Sequence, residues 1–340
     1  MRYPFRHPVA SLAGLVIAAL LLLGVAILSL QSWSYYHLRQ ARAASARYHD
    51  SEAEEHLRSC LWASPNNAEA LLLAARTARR EGVTEAAEQF LAQYERVRGS
   101  GDEQLLLERV LLEVQKGRLE SVQAYCSRLI DERHRFAPLI LEAIVQYFVR
   151  VFRLQDAEIA LKKWREIDRN DPQAIYYQAL CCELKDQNSE AREYLWQVLE
   201  LDPQRDDARF RLAGLLIDAH EEATALPQLE HLRRLHPERT PILVELARCY
   251  TVLAQYENAE AVLSEALARE PNNREALAAR GKLYMQWERV EEAEDYLRRA
   301  VELEPGNYST RYQFFLCLSK LKKTDEADKT RARLETMEAD

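Results

Sequence analysis

From Ser34 to Asp340 the apolar positions recur at helical spacing, in stretches of about 12–14 residues separated by short polar turns. In the segment 274–307, Leu277, Gly281 and Tyr284 fall on one face of a first stretch, and Ala293, Leu297 and Ala300 on one face of a second. The pattern predicts helix pairs. Before Ser34 it changes: Val9 to Leu30 is 22 residues without a charge. At about 1.5 Å per residue this run spans about 33 Å, enough for a bilayer core. Arg2 and Arg6 precede it, and Trp33, Tyr35 and Tyr36 follow where an aromatic belt would sit. A cleaved signal peptide has a shorter apolar region and a small-residue cleavage site, and the exit SLQSWSYY offers none. The expectation is a short tail over 1–8 and one uncleaved transmembrane anchor over 9–30. Later apolar runs are too short to cross, so a single pass is predicted.

The helix pairs repeat. Pro203, Pro237, Pro271 and Pro305 stand 34 residues apart. On that period one column reads Ala53, Ala87, Ser121, Ala157, Ala191, Ala225, Ala259, Ala293, Ala327. Four residues later stand Leu57, Leu91, Tyr125 (beside Cys126), Leu161, Leu195, Leu229, Leu263, Leu297 and Arg331. Small residues, Gly281 among them, belong where two helices cross closely, since a large side chain would force the axes apart. The units are 34–67, 68–101, 102–137, 138–171, 172–205, 206–239, 240–273, 274–307 and 308–340. The unit 102–137 is the most irregular, with two inserted residues and with Arg109 and Ser121 at the small-residue positions. Pro227 falls inside a predicted second helix, which must start near Thr224 or kink.

These residues resemble the tetratricopeptide repeat, with its 34-residue period and W-x2-L-G-x2-Y, A-x3-F and P signature. In 274–307 the matches are Gly281, Tyr284, Ala293, Ala300 and Pro305. In 240–273 they are Leu243, Leu246, Ala247, Tyr250, Ala259, Leu263, Ala266 and Pro271. The resemblance implies an all-α, right-handed superhelical α-solenoid of about nine helix pairs, preceded here by the N-terminal transmembrane helix. It also implies that first helices line a concave groove for a protein partner. By register that groove would carry Arg76, Arg150, Tyr176, Tyr177, Phe210, Arg211, Arg248, Lys282 and Tyr312. Glu142, Gln146, Arg80 and Leu107 are among their neighbours. Aromatic residues interspersed with Arg suit a binding surface. Members that clamp a C-terminal carboxylate place Asn and Lys on first helices. Asn66, Asn67, Asn272, Asn273 and Asn307 lie in turns instead, so an extended or helical acidic and apolar segment fits better.

Composition narrows the function. Only 9 Gly and 11 Pro occur, too few for a β-sandwich or barrel. With 46 basic and 54 acidic residues the chain is mildly acidic, which argues against nucleic acid as a partner. No phosphate-binding, nucleophile-elbow or zincin motif is present, and no cofactor, metal or small-molecule substrate is expected. His56 and Cys60 are four apart, but two ligands do not make a site. Six cysteines without C-x-x-C read as packing residues, and Cys181, Cys249 and Cys317 share one repeat position 68 apart. The expectation is a non-catalytic, membrane-tethered scaffold resembling bacterial assembly and quality-control factors. A regulatory or adaptor subunit of an envelope enzyme, such as a glycosyltransferase or protease, is the second reading. The basic N-terminal flank favours a body on the outer, periplasmic side of the inner or plasma membrane. The six thiols, typical of a reducing compartment, argue for the cytoplasmic side.

Overall fold

The computed structural model describes residues 8–339, with side chains over 16–337. Arg2 and Arg6, and with them most of the 1–8 tail, lie outside the described residues. Among the described residues the chain is all helix: α1 (Pro8–Ala46), α2 (Asp50–Ala63), α3 (Ala68–Arg80), α4 (Thr84–Arg98), α5 (Glu103–Gln115), α6 (Leu119–Asp131), α7 (Ala137–Arg150), α8 (Leu154–Ile167) and α9 (Pro172–Glu183), then α10 (Asn188–Leu201), α11 (Asp206–Asp218), α12 (Glu222–Leu235), α13 (Thr240–Val252), α14 (Tyr256–Arg269), α15 (Arg274–Gln286), α16 (Val290–Leu303), α17 (Tyr308–Lys320) and α18 (Thr324–Ala339). The chain forms two compact units, Met1–Cys181 and Cys182–Asp340.

Within each unit the packing is local. From α1 to α8 and from α10 to α18 each helix packs on its sequence neighbours, and odd-numbered helices also meet one another: α1 with α3, α3 with α5, α5 with α7; α11 with α13, α13 with α15, α15 with α17. The odd-numbered helices therefore form an inner layer and the even-numbered helices an outer one. The aligned small residues are the pivots. Ala53, Ala87, Ala157, Ala191, Ala225, Ala259, Gly281, Ala293 and Ala327 are all buried. At Gly281 the approach is closest: a Cβ there would meet Leu297 Cγ at 2.4 Å.

The turns explain the low glycine count. Tyr48, Gly82, Gly117, Phe152, Asp186, His220, Ala254, Glu288 and Lys322 recur at steps of 34 or 35 and all have φ between +55° and +83°. Each ends the first helix of a pair in the left-handed region. The amide that follows donates to the carbonyl five residues back, at 2.8 to 3.0 Å, as in Val83 to Ala78 and Gln255 to Tyr250. This is the Schellman closure, which favours glycine because a Cβ is crowded there. Only two of the nine positions are glycine, so seven residues with side chains carry that crowding. Four of the first helices begin on side-chain caps: Asn67, Asp102, Asn273 and Asn307 accept from backbone amides of the first turn.

Three features differ from the sequence expectation. Arg109 is exposed and pairs with Glu95 at 2.6 Å, while Val110 packs on the core. Ser121 likewise faces out, its hydroxyl donating to the Arg118 carbonyl at 2.7 Å, and Cys126 is buried. The reason is register: α4 has 15 residues where α2 has 14, and α7 has 14 where α5 has 13. Two separated single insertions thus shift the frame, and α5 and α6 are regular helices. Third, α12 starts at Glu222, not Thr224, and runs through Pro227. Pro227 is the sixth residue of α12, so it withholds the amide that would bond to the Ala223 carbonyl and its ring crowds that carbonyl.

The apolar N-terminal segment is continuous with the first repeat. Within α1, Ser34, Leu38, Ala41 and Ser45 are buried at four- and three-residue steps against α2 and α3. By contrast Val16 to Leu30 is almost entirely exposed. The described part of the helix, Val16–Ala46, is long and apolar enough to cross a membrane.

Candidate functional site

The inner layer of the first unit carries a buried charge network. α3 presents Arg76, Arg79 and Arg80 within one and a half turns, facing α5 and α7. Glu108 of α5 is 1% exposed and lies between Arg76 Nη2 at 2.7 Å and Arg79 Nε at 3.3 Å. Burial alone would raise its pKa, but the two guanidinium groups and their hydrogen bonds outweigh it and hold the carboxyl below the ordinary range. Arg80 reaches Glu142 of α7 at 3.5 Å and Asp50 of α2 at 3.7 Å, and its guanidinium lies 4.4 Å over the Tyr48 ring. Burial would lower the Arg80 pKa, yet the facing Glu142 and Asp50 keep it raised. Asp50 is pushed up by burial, partly offset by Arg80. Gln173 of α9 donates to Glu142 at 3.5 Å. Four successive inner helices and their turns are thus tied by charge as well as by packing.

Beside this network a cleft of about 350 Å³ is lined by Arg80, Gln115, Gln146, Val149, Arg150, Tyr176, Tyr177 and Leu180, with Glu81 and Gly82 at its edge. Gln146 Nε2 donates to the Arg80 carbonyl at 3.1 Å, and Arg150 donates to the Gln115 carbonyl. Gln115 Oε1 and Gln146 Oε1 accept no hydrogen bond from the protein. Tyr176 is partly exposed, whereas Tyr177 is buried, its ring 6.4 Å from Trp164. Burial pushes the Tyr177 phenol well above its ordinary pKa. Tyr177 therefore serves as the wall of the cleft, and Tyr176 and Arg150 as its mouth. The cleft can hold a polar chain: it offers two free amide acceptors, a cation and an aromatic face.

In the second unit the anticipated residues are dispersed. Arg211 pairs with Glu183 at 2.8 Å. Arg248 bridges Glu245 at 2.8 Å and Asp218 at 3.3 Å. Phe210 is half-buried and Lys282 exposed. Tyr312 stacks on Tyr308 with ring centroids 6.4 Å apart. A second cleft of about 460 Å³ lies between α15 and α17, lined by Met285, Gln286, Gln313, Leu316, Ser319 and Lys320. The sequence reading missed Glu108 and Arg79. Their signal was present as three arginines on one helix answered by Glu108 and Glu142, 34 residues apart.

Among the described residues no group of three or more His, Cys, Asp or Glu could hold a metal ion. His37 and His56 approach at 3.0 Å without a third ligand. All six cysteines are buried as thiols rather than disulfides. Burial pushes the Cys126 and Cys317 thiols up to about 11 and Cys249 up to about 12, far from reactive thiolates.

Residues 216–283 match the family model of the tetratricopeptide repeat, and residues 252–330 that of anaphase-promoting complex, cyclosome, subunit 3. The fold is that of a tetratricopeptide-repeat solenoid. A similar solved structure, the Cut9–Hcn1 hetero-tetramer of the anaphase-promoting complex, has a TM-score of 0.57 at 15% identity, covering 84% of this chain and 56% of that one. A tetratricopeptide-repeat protein from Parabacteroides merdae gives 0.52 at 12% identity, over 79% and 93% of the two chains. In sequence, subunit 3 of the Dictyostelium discoideum anaphase-promoting complex is 31% identical over 81 residues, which is 24% of this chain. FK506-binding protein 59 of Drosophila melanogaster is 30% identical over 84 residues, 25% of this chain. The matches span only 8% and 19% of those two relatives, so the likeness is one of repeats.

Proposed function

We propose that this chain is a membrane-tethered tetratricopeptide-repeat scaffold that captures a protein segment on its inner layer and has no catalysis of its own. The observation that carries the reading is the cleft at Gln115, Gln146, Arg150 and Tyr176. Its two amide oxygens accept nothing from the protein, and a buried polar group of this kind favours a partner that supplies donors. The backbone amides of an extended segment are such donors, and Arg150 at the mouth suits an acidic side chain. The local likeness to a subunit of the anaphase-promoting complex is a likeness to a component of a multiprotein assembly. The long apolar α1 supports the tether. The basic flank at Arg2 and Arg6 supports a body on the outer side of the inner or plasma membrane. The six thiols do not oppose this, because burial shields them in either compartment.

A photo-crosslinker placed at Gln146, on the inner layer, is expected to trap a partner in native membranes. The same crosslinker at Arg96, on outer helix α4, is expected to trap none. Arg150→Glu should reduce the Gln146 adduct with helicity unchanged by circular dichroism. Equal trapping at the two positions, or an adduct indifferent to Arg150→Glu, would reject the reading.

A further inference from the structure

The first helix pair brings a distant tryptophan to the end of the apolar segment. α1 and α2 run antiparallel, and two contacts fix their register. Ser34 Oγ lies 3.3 Å from Cys60 Sγ, and His37 Nδ1 lies 3.0 Å from His56 Nδ1. Paired positions therefore sum to about 94, so Trp62 stands level with residue 32 of α1. That is the point where the charge-free run ending at Leu30 gives way to Trp33, Tyr35 and Tyr36. Trp62 is 76% exposed, Trp33 52%, Tyr35 64% and Tyr36 54%. Four large aromatic side chains, from two helices, thus ring one level of the structure with their rings in solvent. The α1–α2 contact is closely packed: Leu38, Ala41, Leu57 and Cys60 are buried in one cluster with residues of α3.

We infer that the first repeat docks on the lipid bilayer interface, with Trp62 completing an aromatic collar around the exit of α1. The inference rests on the proposed tether and goes beyond it, because a single helix through the bilayer does not by itself set the tilt of the body against the membrane surface. Indole rings are amphipathic and settle at the headgroup level, where the ring is half-desolvated and its N–H stays wet. The structure offers one occupant for this level. The apolar helix that leaves it is of bilayer length, and at about 1.5 Å per residue Trp62 lies within about 3 Å of the end of that run. Docking at two points on two helices fixes the direction in which the repeats leave the membrane.

The test uses the full chain in phosphatidylcholine vesicles containing brominated acyl chains. All native thiols are buried, so a single introduced cysteine can be labelled with an environment-sensitive fluorophore. Four variants are compared: Leu22→Cys in the apolar run, Trp62→Cys, Arg58→Cys one turn further along α2, and Asp131→Cys on α6. Strong bromine quenching is expected at Leu22, clear quenching with a blue shift at Trp62, weaker quenching at Arg58 and none at Asp131. Quenching at Leu22 with Trp62 as wet as Asp131 would overturn the collar and leave the tether standing. No quenching at Leu22 would defeat the tether and the collar with it. Because the label replaces the ring, a second measurement uses intrinsic fluorescence: Trp62→Phe should lose a bromine-quenchable part of the emission, and an unchanged quenchable fraction overturns the inference.

Discussion

At the residue scale the buried ion pairs matter more than the many exposed ones. Glu108 is sealed between Arg76 and Arg79, so truncating it leaves a buried guanidinium uncompensated. Glu108→Ala is expected to lower stability by about 3–5 kcal/mol. Arg274→Ala, which breaks a pair whose members are both more than half exposed, should leave stability nearly unchanged. Urea midpoints of the two variants provide the comparison. The pH dependence follows in sign. The folded-state pKa of Glu108 lies below its ordinary 4.5, so its stabilisation is present above 4.5 and lost as pH falls through the depressed value. Asp50, whose pKa is raised, acts in the opposite sense. Glu108→Gln should therefore show a shallower acid-side fall in urea midpoint than the parent chain; an equal slope would remove Glu108 from the account. In sequence these charges read as solvated helix faces, because periodicity does not distinguish an arginine aimed at solvent from one aimed at the next helix. Arg80 and Glu142 were legible only as groove positions, and their pairing needs two inner helices side by side.

At the element scale each helix pair is set by one turn and one crossing. The left-handed turn position bears a side chain in seven of nine repeats, at a conformational cost of about 1–2 kcal/mol each. Ala254 is exposed with φ +55°, so Ala254→Gly should raise stability by roughly 0.5–1 kcal/mol after the entropy cost of glycine. Thermal melts check it, and a fall in midpoint would refute the strain. The crossings behave differently. Gly281→Ala would gain about 1 kcal/mol of helix propensity, but the new Cβ would meet Leu297 Cγ at 2.4 Å. Overpacking of about 1–3 kcal/mol should win, and pairing the change with Leu297→Ala should lose the clash contribution. Gly214 sits in α11 with nothing within 4 Å of a built Cβ, so Gly214→Ala should stabilise by about 1 kcal/mol. Gly281 was identifiable in sequence as the small residue of the repeat signature on the first helix. The turn position was not, because Tyr, Phe, Asp, His, Ala, Glu and Lys share no chemistry; only the backbone angle aligns them.

At the scale of the whole molecule the chain joins a bilayer-length helix to an array of stacked pairs. Full-length protein should remain in the membrane pellet after an alkaline carbonate wash, and a form lacking residues 9–30 should move to the supernatant with its helicity intact. Release of the full-length chain by the wash would count against the tether. The sequence by itself determined the helical class, the 34-residue period, the buried alanine columns and the apolar N-terminal run. These are one-dimensional properties: spacing along a helix decides which face is apolar, and a proline or a missing charge can be read without knowing the neighbour. The tertiary structure decided the rest. It placed the two single insertions in α4 and α7, turned Arg109 outward, buried Tyr177 behind Tyr176, closed Glu108 between two arginines and brought Trp62 to the level of Trp33. The last two depend on the distance between residues about 30 positions apart. That distance is fixed by how closely two helices pack, which no single stretch of sequence contains.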